Sequence, residues 1–343
     1  MNQVEFIDYL REKRIPVRAM VQLTYSCNFR CIHCYETPLK ELQNPSLGLY
    51  EWTQILKTLR EHGCMFLSFT GGEVFTVPLF SELYEIAYDL GFKISIISNG
   101  SILPYRMLEI LSKKKPEKIH ISLYGMSDNT YTNFCKTANG YQRVKRNILA
   151  LRAARINTII MYLTNKMNAH ELKDAREFAR DNGCGFYQFY RFRAFVNGDC
   201  APQDLQLDPH TLVSLQTPEE LNIMREKEIK NRNQWSKGYK WCNAGLTSIM
   251  IDPFGKAFLC DSVPAERFSL LEYDFDEVWK KIYIQRKKHI EVSSVCGKCD
   301  NREKCGLCAP TLLTEYGDCG VVPSRECKYS EELRNGLEVA SHV

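Results

Sequence analysis

Three cysteines fall within one short stretch, TYSCNFRCIHCYE (residues 24–36), as Cys27, Cys31 and Cys34 in a C-x3-C-x2-C arrangement. Thiolates are soft ligands, and three on one loop suit a thiophilic metal or an iron–sulfur cluster. Zinc usually takes four protein ligands in a structural site, and the nearest fourth, His33, lies between two of the cysteines, where it would strain a single tetrahedron. A 4Fe-4S cluster held by three cysteines instead leaves one iron open to a small molecule. The chain has 15 cysteines, an odd number, so disulfides cannot account for all of them. Cys64, Cys135, Cys184 and Cys200 stand apart and read as small buried hydrophobes. Eight more follow residue 241: Cys242, Cys260, Cys296, Cys299, Cys305, Cys308, Cys319 and Cys327. That is too many for one cluster and points to two sites; the C-x2-C-x5-C-x2-C block from Cys296 to Cys308 could by itself hold zinc.

Positioning these ligands falls to a repeated strand–helix pattern. AMVQLT (19–24), FLSFT (66–70), KISIISN (93–99), KIHISLY (118–124), TIIMYLT (158–164) and FYQFYRF (186–192) are short apolar or β-branched runs suited to strands buried on both faces. Helical stretches lie between them. LFSELYEIAYDLG keeps Leu79, Leu83, Ile86, Ala87 and Leu90 on one stripe and stops at Gly91, while YEWTQILKTLREHG and AHELKDAREFARDNG stop at Gly63 and Gly183. Alternation at this spacing predicts parallel strands joined by right-handed crossovers, an α/β fold of the open six-unit (β/α)6 partial TIM barrel kind. Chemistry then belongs at the C-terminal ends of the strands, where the first cysteine loop lies.

Composition narrows the function classes. At 343 residues with 44% hydrophobic and 25% charged residues, the chain has length for about two globular domains. No apolar run reaches membrane-spanning length, and MNQVEFIDYLREKR lacks a targeting signal, so a cytoplasmic protein with no membrane partner is expected. A net charge of +4 is too mild to suggest nucleic acid.

C-x3-C-x2-C after the first strand, FTGGE (69–73) after the second, ISNG (97–100) after the third and ISLYG (121–125) after the fourth resemble the radical S-adenosylmethionine (SAM) superfamily. The resemblance implies a cluster whose open iron binds SAM, and reductive cleavage of SAM to a 5′-deoxyadenosyl radical that abstracts hydrogen from a substrate. It implies that Gly71, Gly72 and Glu73 hold the methionine amino group, that Ser98 and Asn99 reach the ribose, and that Ser122 and Arg143 hold the carboxylate. His33 takes the position whose ring lies against adenine. Arg143 also reads as a solvated helix residue, and His33 as a loop residue without a role.

The C-terminal cysteines resemble the SPASM extension, which follows many radical SAM domains and binds two auxiliary 4Fe-4S clusters, making three in all. That resemblance implies Cys242, Cys260 and Cys308 for the first auxiliary cluster and Cys296, Cys299, Cys305 and Cys327 for the second, with Cys319 a spare thiol or a fourth ligand to the first. Its domain reading is a core over 1–205, a helical bridge over 206–240 and the cysteine-rich iron–sulfur domain over 241–343. Asp261, next to Cys260, is in the place where the sulfatase-maturating branch has a general base, and it reads equally as a turn aspartate.

The motifs are most similar to SPASM enzymes that crosslink peptides through thioether or carbon–carbon bonds. A peptide or small-protein substrate and a flavodoxin- or ferredoxin-type reductant are the implied partners. Only 26 residues precede Cys27, which points leader recognition to a separate protein or the chemistry to a small molecule. Oxidation of tetrapyrrole side chains in a haem pathway, and a non-catalytic iron–sulfur electron carrier, are the alternatives. The SAM-binding motifs disfavour the carrier.

Overall fold

A computed structural model of the protein describes residues 2–36, 47–223, 242–263, 265–289, 299, 308–317 and 324–339. Helix α1 (Gln3–Lys13) opens on a capping box between Asn2 and Glu5 and leads into β1 (Arg18–Gln22). The expected alternation follows: α2 (Leu49–Glu61), β2 (Phe66–Thr70), α3 (Phe80–Asp89), β3 (Lys93–Ser98), α4 (Tyr105–Lys113) and β4 (Lys118–Leu123). Two helices, α5 (Asp128–Cys135) and α6 (Gly140–Ala153), then precede β5 (Thr158–Leu163), and α7 (Leu172–Asp181) precedes β6 (Gly185–Phe189). All six strands are parallel to their neighbours, in spatial order six to one. Gly63, Gly91 and Gly183 end α2, α3 and α7 at φ of +92°, +83° and +61°, as their positions in the sequence predict.

Burial along the strands differs from the sequence expectation. Leu67 and Phe69 of β2, Ile119, Ile121 and Leu123 of β4, and Thr158, Ile160 and Tyr162 of β5 are buried, while the residues between them are half-exposed. In these strands one face is packed, against helix stripes such as Trp52, Ile55, Leu56 and Leu59 of α2, whereas β1 and β3 are buried on both faces over part of their length. Each such side chain contributes roughly 1.5–3 kcal/mol by leaving water. The opposite face of β2 and β4, with Ser68, His120 and Ser122, is half-exposed.

The sheet also extends beyond the six units. After α8 (Pro209–Ser214), β7 (Ser248–Ile251) pairs in parallel with β1, placing Met250 beside Met20. β8 (Lys256–Phe258) and β9 (Phe268–Ser269) continue antiparallel, making nine strands in one sheet. Residues just past position 241 are thus continuous with the barrel sheet. Helices α9 (Phe275–His289), α10 (Ala309–Tyr316) and α11 (Ser324–Val339) complete the described residues. Buried Tyr329 of α11 packs on Leu212 of α8, which returns the last helix to the segment after β6. Of the expected bridge, residues 224–240 lie outside the described residues. No helix among the described residues is long and apolar enough to cross a membrane.

Candidate functional site

The loop leaving β1 is held from three sides. Gly72 N–H donates to Thr24 O at 2.6 Å and Glu73 N–H to Ser26 O at 2.9 Å, which lays the turn after β2 on the start of the loop. A Cβ on Gly72 would come within 2.1 Å of Ser26 O, and Gly71 has φ +132°, so both positions require glycine. From the far side, Arg30 N–H and Ile32 N–H donate to Cys135 O and Phe134 O, both at 3.0 Å. From below, Asn99 Nδ2 reaches Cys27 Sγ at 3.6 Å and Asn28 Oδ1 at 2.9 Å, and Phe29 N–H also points at Cys27 Sγ, 3.4 Å away.

This donor set suits a cluster. N–H donors aimed at sulfur favour thiolate. Thiolates sharing one zinc lie within about 4 Å of each other, whereas among the described residues no three Cys, His, Asp or Glu side chains converge as a single ion would need. Three thiols on one loop with N–H donors at Cys27 suit a 4Fe-4S cluster that keeps one iron open.

Glu73 is 1% exposed, and its carboxylate accepts from Ser98 Oγ at 2.8 Å, Asn99 N–H at 2.7 Å and Phe75 N–H at 3.1 Å. Burial pushes its pKa up to about 7 against the pull of these donors. The side chain thereby locks the turn after β2 to the turn after β3. Asn99 is in turn fixed by Ser101, whose N–H and hydroxyl donate to Asn99 Oδ1.

His33 lies in an aromatic box, stacked on Phe134 at 4.7 Å and 17°, with Tyr124 at 5.1 Å and Phe192 at 6.0 Å. Ser122, two residues before Tyr124, is half-exposed on β4. Arg143 of α6 binds Thr137 Oγ1 at 2.7 Å, with its guanidinium 5.9 Å from the ring of Phe29 in the cysteine loop. All the residues singled out for SAM therefore line or brace one end of the strands.

A second group of thiols is linked to the first loop through Asp261. Cys242, Cys260, after β8, and Cys308, before α10, are close enough to influence one another; burial first, and then these neighbours, push Cys260 up to about 12 and Cys308 up to about 11. Asp261 then reaches back to the first loop: Tyr35 OH donates to its Oδ2 at 3.4 Å, and Gln22 Nε2 donates to its Oδ1 at 3.2 Å and to Glu36 Oε1 at 2.7 Å. Burial raises the Asp261 pKa, and Arg193 and Arg267 oppose the rise. A small cavity of about 10 Å³, room for about one water, lies here, lined by Tyr35, Arg193, Asp261, Ser262, Thr311 and Glu315 among others. Arg267 adds a second tie, donating to Tyr25 OH at 2.6 Å and pairing with buried Asp252 at 2.9 Å.

Cys299 and Cys327 are exposed, and Cys296, Cys305 and Cys319 lie outside the described residues. Sequence reasoning passed over Gln22, Tyr35, Glu36 and Arg193. Tyr35 and Glu36 directly follow Cys34, and that adjacency was the available signal.

Residues 21–179 match the model of the radical SAM superfamily. Those residues are a radical SAM domain. The domain makes the chain an enzyme and implies a 4Fe-4S cluster and SAM. Among curated proteins, the AdoMet-dependent heme synthase of Methanosarcina barkeri is 24% identical over 87% of this chain and 92% of its own length. The PqqA peptide cyclase of Granulibacter bethesdensis is 23% identical over 84% of this chain and 80% of its own. Among solved structures, Streptococcus suis SuiB bound to its precursor peptide SuiA superposes with a TM-score of 0.72 at 17% identity, covering 94% of this chain and 79% of that one. This likeness gives the same fold to the radical SAM core and the segment behind it.

Proposed function

We propose that this radical SAM enzyme oxidatively modifies a peptide at the seam between its two thiol groups. The observation that carries the reading is the contact of Tyr35, next to Cys34, with Asp261, next to Cys260. A substrate there lies between a radical source and a second redox centre. When bound, SAM and its cluster supply a 5′-deoxyadenosyl radical for hydrogen abstraction.

The chain's own residues do the rest. Cys27, Cys31 and Cys34 hold the first cluster. Gly71 and Gly72 let backbone approach the methionine end, while Glu73 keeps the turns after β2 and β3 in register. Asn99 and Ser98 face the ribose, His33 the adenine, and Ser122 and Arg143 the carboxylate. Cys242, Cys260 and Cys308 hold the first auxiliary cluster, with Cys319 spare or a fourth ligand; Cys296, Cys299, Cys305 and Cys327 hold the second. Asp261 accepts the proton that a two-electron oxidation releases. A flavodoxin- or ferredoxin-type protein reduces the first cluster, and a separate protein presents the peptide.

The peptide cyclase and the peptide-bound neighbour support this substrate class. The heme synthase, matched over 92% of its length, supports a second reading, oxidation of tetrapyrrole side chains. Anaerobically reconstituted enzyme given SAM and reductant tests both, with short peptides encoded near its gene or with tetrapyrroles. Formation of 5′-deoxyadenosine with a peptide product lacking two hydrogens upholds the first. Loss of carboxyl groups from a tetrapyrrole upholds the second.

A further inference from the structure

The side-chain amide of Asn99 has its orientation fixed by donors on the same turn. Ser101 N–H donates to Asn99 Oδ1 at 2.9 Å, and Ser101 Oγ donates to the same oxygen at 2.6 Å. A backbone N–H accepts only an oxygen opposite it, so Nδ2 is the end of the amide that turns toward the cysteine loop. There it donates to Asn28 Oδ1 at 2.9 Å and to Cys27 Sγ at 3.6 Å, a length that the larger sulfur atom allows. Asn28 closes the circuit, its Nδ2 donating to Ser101 Oγ at 2.8 Å. Around this ring of three side chains each bond pairs a donor with an acceptor. Asn99 and Ser101 are 7% and 3% exposed, so water competes little for their bonds. Phe29 N–H supplies a second donor to Cys27 Sγ, at 3.4 Å.

We propose that the ring of Asn28, Ser101 and Asn99 eases one-electron reduction of the SAM-binding cluster by holding an amide N–H on Cys27 Sγ. The inference rests on the proposed assignment of Cys27 as an iron ligand. A donor withdraws charge from a coordinating sulfur and thereby favours the reduced, more negative cluster. The electron comes from the flavodoxin- or ferredoxin-type reductant, which is oxidised by one electron; no bond breaks and no proton moves. Ser101 and Asn28 act through Asn99 and are positioning residues.

The test compares wild type with Asn99→Leu, which keeps a similar shape without the donor, and with Asn147→Leu. Asn147 is a control on the same turn: its Nδ2 donates to Gly100 O at 2.8 Å, it is 7% exposed, and among the described residues it has no bond to sulfur. Each protein is reconstituted anaerobically, its iron is counted, and the EPR signal that a later addition of SAM shifts is titrated against potential before SAM is added. In Asn99→Leu the ratio of reduced to oxidised cluster at fixed potential is expected to fall about tenfold, a midpoint about 59 mV lower, with Asn147→Leu close to wild type. Equal midpoints in wild type and Asn99→Leu, or an equal fall in Asn147→Leu, overturn the proposal. Should either variant fail to assemble its cluster, reduced wild type labelled with 15N in its asparagine side-chain amides decides. A 15N coupling to the cluster in HYSCORE spectra upholds the bond, and its absence overturns it. Failure of the underlying ligand assignment shows differently, as wild-type EPR signals that are all indifferent to SAM.

Discussion

The loop of Cys27, Cys31 and Cys34 is one short stretch pinned by backbone hydrogen bonds to the turn after β2 and the end of α5, whereas Cys242, Cys260 and Cys308 come from three segments distant in sequence. In the first case the protein supplies the geometry, since Gly72, Glu73 and Asn99 hold the loop through their own contacts. In the second, separate elements place the thiols: Cys260 follows a three-residue strand and its O accepts from Val263 N–H, and Cys308 O accepts from Thr311 N–H and Oγ1 at the start of α10. A shared cluster ties such segments together. A pre-shaped loop suits a site that must admit and release SAM, while ligands gathered from separate segments suit a permanent cluster.

The widest separation between the two groups comes from deleting ligands. Cys27, Cys31 and Cys34 replaced together by alanine should abolish 5′-deoxyadenosine formation, measured by chromatography, and remove about four irons. Cys260→Ala should leave SAM cleavage in place and abolish product. Loss of both activities in Cys260→Ala would mean that the groups act as one unit.

Asp261→Asn probes the seam between them. If its carboxylate takes the substrate proton, product formation falls about 10²- to 10⁴-fold, while 5′-deoxyadenosine still forms with substrate present. A parallel fall in both would show that Asp261 instead holds Tyr35 and Gln22 in place.

Gly72→Ala tests how firmly the first loop is shaped. Because the new Cβ would meet Ser26 O at 2.1 Å, the turn must move, and a displacement of about 1 Å should cost about 10² in SAM cleavage. Iron content should persist, since the thiols themselves are untouched.

The smallest effect concerns Glu73. Its folded-state pKa, about 7, exceeds the ordinary 4.5, so the stability from holding the proton is complete below pH 4.5 and is lost as pH rises through 7. The thermal midpoint of wild type should fall from pH 5 to pH 8 more than that of Glu73→Gln, as scanning calorimetry would record.

Local features were legible in the sequence. The cysteine spacing, the glycine stops and the strand-end motifs each depend on a few adjacent residues, and the six parallel strands form where those residues predict. Long-range features were not. β7 and β8 are four and three residues long, too short to show a period, and the place of β7 beside β1 and of β8 beside β7 depends on partners elsewhere. Apolar strand runs suggested burial on both faces because β-branched composition reports strand propensity, not which face a helix covers. The same limit hid the end of α5, where Cys135 O accepts from Arg30 N–H of the first cysteine loop, and Tyr35, whose partner Asp261 follows β8.

The pairing of β1 with β7 has a consequence for how the molecule acquires its shape. β1 is flanked by β2 on one side and by a strand more than two-thirds of the way along the chain on the other. Until that later strand docks, β1 presents a bare hydrogen-bonding edge, a template for intermolecular pairing. Its contact order is high, so the barrel finishes late and through non-local closure. A version truncated before Ser248 should accumulate as oligomers, because it ends with that edge still unpaired.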